Sequence, residues 1–512
     1  MESEKAYTPT ESEIFPGATN ATSKTSAGAL DDNYELYKSN RGTDVDPLEA
    51  KKVLRKIGFR ILSIIMGTYV LQYLDKNSIN IASVYGLKKD THLKGQDYSW
   101  LSSMFFVGYL VFQIPFGFLL QHLPTGRLLS FTIIAWGIVL ITTPACVSFA
   151  GIATNRFFLG ALESATNPGN VLLMSMWFTT EEQPLRLEAY YSTTGIATMF
   201  SGLIGYGIGH INTGLHKWQY IFLIFGAITI AWGVISFIFL PDSPSTSSFL
   251  TPRERVVAVE RVASNKQGIK NRTFKAYQAV QTMKDPKVWT LFVMVVSSQI
   301  PTAAVTSFAS INITSFGYST LASQYMLIPG GAVQFFGMLF GGWVATKWPG
   351  MRCIVMTVSN TICIIGSGLL VGLPASNKWG RLVALWLCYF QNLGFSMSLT
   401  MISSNVAGYT KKQLTAAVVF IGWCIGNIAG PQTFIAGEQP EYKTAYRAML
   451  IGYSIKLAMV FVLYAYMVWF NRKRDREQAL APLNEKDAIE LGMHDATEFD
   501  NKAFRYTLWV FC

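Results

Sequence analysis

The chain has 512 residues, of which 50% are hydrophobic and only 14% charged, against about 25% charged in ordinary soluble domains. That balance excludes a soluble globular domain and indicates a polytopic membrane protein. The formal net charge of +11 gathers beside apolar runs, where it faces anionic lipid head groups, and gives no reason to expect nucleic acid.

Residues 1–56, with many Ser, Thr, Glu, Gly and Asn, lack the apolar run of a cleaved signal peptide and read as a disordered tail. Apolar runs of about 20 residues, enough to cross the hydrocarbon core, follow at 61–84, 98–120, 128–150, 152–178, 188–210 and 218–240. A polar stretch at 241–287 separates these from a second set at 288–310, 322–346, 353–373, 380–407, 413–436 and 446–470, before a tail at 471–512. The expected fold is an all-α membrane protein with twelve transmembrane helices in two six-helix bundles, 57–240 and 288–470. Lys51, Lys52, Arg55, Lys56 and Arg60 before the first span, Arg472, Lys473, Arg474 and Arg476 after the last, and a basic central loop put both termini and that loop in the cytoplasm. Lys88, Lys89 and Lys94 dissent on the outer side, but Asp90 and Asp97 accompany them.

Four charges fall inside expected spans: Asp75 and Lys76 in the first, Arg156 and Glu163 in the fourth. Each costs roughly 2.5 to 3.5 kcal/mol at the centre of a spanning helix, so a chain that keeps four in one half has a use for them. Seven residues separate Arg156 from Glu163, which brings them to within about 20° of one face and about 10.5 Å apart along the axis. Asn167 and Pro168 extend that stripe, and Gly160, Ala165 and Gly169 allow close packing or a bend. The alternatives are a purely structural Arg156 and Glu163, paired with each other or with another helix, and an Asp75–Lys76 pair lying beyond the membrane edge. Against the second, apolar residues resume at Ile79, Ile81, Ala82 and Val84.

Burial disfavours the charged form of a carboxylate and a nearby cation favours it. Asp75 and Glu163 can therefore trade a proton according to whether an anion occupies Lys76 or Arg156, and substrate and proton then bind cooperatively. Further polar residues in apolar runs, Tyr109, Gln299, Asn405 and Asn427, are candidate substrate donors, with Tyr190 and Tyr191 weaker ones. Lys456 is the one clear intramembrane charge of the second half, and it reads as snorkelling to the outer surface. The second half is thus expected to supply neutral contacts.

Five of the six cysteines lie in apolar segments, as small hydrophobes, and every histidine lies in a loop or at a span end. No disulfide framework, metal spacing or nucleophile constellation is visible, so neither an enzyme nor a cofactor is expected. Asn312-Ile313-Thr314 is a glycosylation sequon close to a span. After the second span stand Gly117, Gln121, His122, Gly126 and Arg127; the equivalent place after the eighth has Gly342, Lys347, Gly350 and Arg352. Two copies in register suggest a gate, with glycines for close helix approach and basic residues to cap helix ends or pair across it.

These loops resemble the signature of the major facilitator superfamily, Gly-x-x-x-Asp-Arg-x-Gly-Arg, with Gln121 and His122 replacing Asp and Arg. LDKNSINIA (74–82), GYLVFQIP (108–115), NRFFLGALESATNPG (155–169), WFTTEEQPLR (177–186), FLPDSP (239–244), SNVAGYTKK (404–412), GNIAGPQTF (426–434) and FRYTL (504–508) resemble the anion:cation symporters, and among them the fungal allantoate-permease-like group. WVFC at the end runs past that group's usual tail. The resemblance implies that Asp75 and Glu163 carry the proton and that Lys76, where many bacterial relatives have Arg, contacts the substrate anion. A lysine lacks the bidentate fork of Arg.

The expected function is a monomeric, proton-coupled secondary transporter of the plasma membrane. It imports a small organic anion such as allantoate, ureidosuccinate, nicotinate or pantothenate by alternating access. The alternatives are a proton-driven exporter and a transporter-like nutrient sensor. The stretch from Gly202 to Gly209 has no proline, whereas drug antiporters usually carry a Gly-Pro motif in the fifth span, which favours uptake.

Overall fold

The computed structural model describes residues 46–179, 182–212, 214–263, 275–348, 351–480, 497–501 and 504–506. The described residues form helices and turns only, and ten of the helices are long and apolar enough to cross a membrane. The first half opens with α1 (Pro47–Ile57), whose N-cap Asp46 accepts from the Leu48 amide while Pro47 occupies the first turn. A π-helical turn at Gly58–Leu62 leads into α2 (Ser63–Val84), followed by α3 (Asp97–His122) and α4 (Thr125–Thr142). Residues 47–56, expected to be disordered, are therefore helix.

The expected fourth span is two helices, α5 (Phe149–Glu163) and α6 (Thr166–Trp177). Pro168 explains the interruption, because its ring excludes the carbonyl of Ser164 four residues back from the helical ladder. After α7 (Gln183–Gly209) and α8 (Lys217–Phe239) come the linker helices α9 (Pro252–Ala263) and α10 (Ala276–Lys284). The expected seventh span is also broken: α11 (Pro286–Gln299) stops just before Pro301 and resumes as α12 (Ala309–Ser315). The rest of the second half comprises α13 (Leu327–Lys347), α14 (Arg352–Gly372), α15 (Lys378–Leu387), α16 (Gln391–Asn405), α17 (Tyr409–Gln432) and α18 (Lys443–Leu480).

The halves meet along two seams. Helices α7 and α13 touch backbone to backbone, since a Cβ on Gly195 would stand 2.6 Å from the Gly331 carbonyl and one on Gly331 2.7 Å from the Gly195 carbonyl. Helices α3 and α17 are joined by side-chain hydrogen bonds: Ser103 Oγ donates to the Ile428 carbonyl at 2.8 Å, and Gln432 Nε2 donates to Ser103 Oγ at 3.0 Å. The end of the bundle bearing α1 and the linker helices we call proximal, and the other distal. Further bonds between halves lie distally, from Tyr98 to the Ser307 carbonyl at 2.6 Å and from the Ser310 amide to Asn80 at 2.9 Å.

Each linker helix belongs to its own half. Helix α9 is held to the first by Lys56–Glu254 and Arg261–Glu182 pairs at 2.8 Å. Helix α10 docks on the second, where Gln278 Oε1 accepts the Thr410 amide at 3.0 Å. Residues 497–501 and 504–506 fold back against the proximal end of the second half. There Glu498 meets both Lys287 and Lys411 at 2.6 Å, and Lys411 meets Asp285 at 2.9 Å. The segment is thus a packed part of the fold. The WVFC residues lie outside the described residues.

Candidate functional site

Between the halves lies a narrow cavity of about 70 Å³. Helix α2 supplies Tyr69, Gln72, Tyr73 and Lys76, spaced so that they share one helical face. Phe105 and Tyr109 come from α3, Glu163 and Asn167 from the two sides of the break in the fourth span, and Tyr191 and Thr194 from α7. The second half contributes Gln299, Thr302, Thr306, Met338, Asn392, Phe395, Ser396 and Trp423, none of them charged.

Adjacency in sequence separates Asp75 from Lys76, because neighbouring helical residues point about 100° apart. Lys76 enters the cavity, its Nζ 4.6 Å from the Phe106 ring centre and 5.2 Å from that of Trp423, so that two aromatic faces from opposite halves hold the ammonium. Asp75 turns away into the first half, where its Oδ2 accepts from Trp136 Nε1 at 2.9 Å and from Thr229 Oγ1 at 2.8 Å. Its Oδ1 has no hydrogen-bond partner. Both residues lie well within a helix that runs on to Val84.

Glu163 is the last residue of α5, at the break. It is fully buried, lines the cavity, and neither carboxylate oxygen has a hydrogen-bond partner. Close approach of α3 brings it there: a Cβ on Gly160 would stand 1.8 Å from the Phe105 carbonyl, so only glycine fits. Arg156 does not follow it into the cavity. Two turns back, its Nη2 donates to Ser78 Oγ at 3.1 Å and its guanidinium lies 5.4 Å from the Phe222 ring centre. No ion pair within 4 Å links any two of the four charges among the described residues, so Arg156 and Glu163 do not pair with each other, although Arg156 does bond to a neighbouring helix.

Tyr109 and Gln299 line the cavity. Tyr109 accepts from Asn167 at 3.0 Å, and Gln299 Oε1 accepts from Asn427 at 3.1 Å, which puts Asn427 just behind the wall. Asn405 is not at the cavity. It ends α16, where its carbonyl accepts from Lys287 Nζ at 2.6 Å, nine residues or about 13 Å further along the helix than Ser396. Tyr191 reaches the cavity, while Tyr190 donates to Asn167 Oδ1 at 2.9 Å. The sequence reading missed Gln72, Tyr73, Asn392, Ser396 and Trp423. The signal for the first two was their spacing of four and three residues before Lys76.

The gate loops divide. Arg127 pairs with Asp242 at 3.1 Å within the first half, and a Cβ on Gly126 would meet the Leu240 carbonyl at 3.0 Å. Gly117, by contrast, faces open space, so no close approach requires it, and His122 only contacts Phe118 of its own helix. In the second copy Gly342 packs on Glu188 of α7, and Arg352 acts on that carboxylate electrostatically. Lys347 lies over the Trp343 and Trp348 rings. The Gln121 side chain and Gly350 lie outside the described residues. Glu188, buried between the halves, escaped the sequence reading because it sits at the very start of its apolar run. Asn312 of the sequon is buried, its amide donating to the Ala304 carbonyl at 3.0 Å, and leaves no room for a glycan.

The sequence profile of the Major Facilitator Superfamily matches residues 65–431. An uncharacterized transporter of Schizosaccharomyces pombe is 36% identical over 97% of this chain and 92% of its own length. The allantoate permease of Saccharomyces cerevisiae is 31% identical over 94% of this chain and 90% of its own. Among solved structures, a bacterial homolog of the human lysosomal transporter Spinster, inward-facing and unoccupied, aligns with a TM-score of 0.58 over 82% of this chain and 98% of that one. At 15% identity that likeness concerns the fold alone. The all-helical two-seam architecture, the cavity between the halves and these relatives agree: the chain belongs to the major facilitator superfamily, in its fungal allantoate-permease-like group, and is a membrane transporter, not an enzyme.

Proposed function

We propose that the protein imports a small organic anion together with a proton, by alternating access, across the plasma membrane, and that it works as a monomer of twelve spans with both termini in the cytoplasm. One observation carries this reading: Lys76 and Glu163 face one buried cavity without an ion pair between them. A cation without a carboxylate partner suits an anionic substrate, and a carboxylate without a hydrogen-bond partner suits a proton. An anion on Lys76 cancels the field that keeps Glu163 ionised, so substrate and proton enter together.

In this reading Tyr109, Gln299, Ser396 and Asn392 supply neutral hydrogen bonds, and Asn427 holds Gln299. Asp75, on the far face of the same helix, is a second protonatable group whose state is felt by α4 and α8 through Trp136 and Thr229. Arg156 tunes the two carboxylates and does not touch substrate, while Asn405 has no part in binding. With the termini cytoplasmic, the bonds between halves at the distal end fit an inward-facing state. The allantoate permease among the relatives favours a ureido acid as substrate.

The test is uptake of labelled allantoate, ureidosuccinate, nicotinate and pantothenate into cells lacking their own carriers. Glu163→Gln should abolish concentrative, pH-dependent uptake, and Lys76→Ala should raise the apparent KM for the anion by at least about tenfold. Full pH-dependent accumulation in Glu163→Gln, or an unchanged KM in Lys76→Ala, would overturn the assigned role.

A further inference from the structure

The second half contains a buried cation that the cavity chemistry leaves unused. Lys456 of α18, expected to snorkel outward, is 1% exposed, and its Nζ has no hydrogen-bond partner. The side chain points inward between neighbouring helices, so snorkelling is ruled out. Among the described residues no carboxylate pairs with it within 4 Å. A buried ammonium without a counter-charge is costly, and such a charge persists where something else requires it.

Its position suggests what that is. A Cβ on Gly394 of α16 would stand 2.7 Å from Lys456 Nζ and 3.1 Å from Ser359 Oγ, so the ammonium rests directly on the helix backbone at the one residue that has no side chain. On the same helix Asn392, Phe395 and Ser396 line the cavity. At about 100° per residue these three share one face and Gly394 falls on the opposite one. The ammonium therefore sits behind the cavity wall, separated from the cavity's contents by one helix, about 10 Å. In a low-dielectric interior a unit charge still acts on another over that distance.

We propose that Lys456 is the second half's anion-attracting charge: acting through α16, it favours occupancy of the central cavity by an organic anion whose carboxylate supplies the counter-charge that Lys456 lacks. This inference rests on the anion reading of the cavity. Lys456 is a positioning residue, since it touches no substrate, and with Lys76 it draws the same anion from both halves. Binding thereby gives each half an electrostatic reason to close on the substrate.

The experiment compares wild type, Lys456→Met, Lys456→Gln and Lys456→Arg, as full-length protein, for melting temperature in detergent and for uptake of allantoate, nicotinate and pantothenate into proteoliposomes. Lys456→Met should melt at or above wild type without ligand and show an apparent KM raised about three- to tenfold, with maximal rate and proton dependence retained. Lys456→Arg should stay within about twofold of wild type. An unchanged KM in Lys456→Met overturns this proposal and leaves the Lys76 reading intact; failure of wild type to take up any of the three anions overturns both. Should Lys456→Met and Lys456→Gln fail to fold while Lys456→Arg folds, the charge is structural and the proposal falls.

Discussion

Two groups of buried charge with the same composition behave in opposite ways. At the proximal end of the second half, Lys287, Lys411, Asp285 and Glu498 are joined by contacts of 2.6 to 2.9 Å, and Glu498 Oε2 also accepts the Ala407 amide at 3.0 Å. In the first half Asp75, Lys76, Arg156 and Glu163 likewise comprise two cations and two carboxylates, yet no ion pair joins them. Desolvation costs both groups heavily. In the first group the partners offset it and the product is a fixed tail; in the second no ion pair offsets it, neutral donors and acceptors hold Asp75 and Arg156, and both Glu163 oxygens stay without a hydrogen-bond partner. Burial of charge alone therefore does not mark a working site.

The largest effect expected from this comparison is on the paired group. Glu498→Gln or Lys411→Met should destabilise by about 3 to 5 kcal/mol, because each strands a buried opposite charge. The double variant should lose less than the sum of the two, as read from melting temperatures; additive losses would mean the contacts are not coupled. Acid should act through the same residue. Burial pushes the Glu498 carboxyl up, but Lys287 and Lys411 outweigh burial and hold it below the usual range. Its stabilisation is then complete above the ordinary glutamate value of about 4.3 and is lost as pH falls through the lower folded-state value. Wild type should accordingly lose melting temperature below about pH 4.3 more steeply than Glu498→Gln does.

Asp75→Asn should cost roughly 1 to 3 kcal/mol, since Oδ2 would still accept from Trp136 and Thr229 but with a weaker, neutral acceptor. Glu163→Gln should leave stability within about 1 kcal/mol of wild type or raise it, because no partner is lost. A large destabilisation there would make Glu163 structural and erase the contrast. The smallest change belongs to Arg127→Ala, whose side chain is largely exposed, so that its pair with Asp242 contributes less than about 1 kcal/mol.

Much of this was legible in the chain. Hydropathy indicated an all-helical membrane protein, but the fourth and seventh spans were read as continuous, so the breaks beside Pro168 and Pro301 and the place of Glu163 at a helix end came only with the structure. Lys76, Tyr109, Glu163 and Gln299 were identified as site residues and do line one cavity. Asp75 and Arg156 were grouped with them because a one-dimensional pattern registers that a charge is buried, not which neighbours surround it. Asn405 was drawn in for the same reason, and Trp423 was missed because an aromatic in an apolar run carries no distinguishing signal. The tail residues 497–501 and 504–506 are polar enough to read as a free end; the packing of Glu498 depends on lysines more than 80 residues away in sequence.

The sequence by itself determined the class of protein, its family and the cost of four charges, because hydrophobicity and charge act locally and additively along a chain. Tertiary structure alone decided which of those charges are satisfied. The faces of α2 send Asp75 to Trp136 and Lys76 to the cavity, Gly160 admits α3 beside Glu163, and Gly394 lets Lys456 rest behind the cavity wall. Pairing depends on distances between helices far apart in sequence, and those distances are set by close packing.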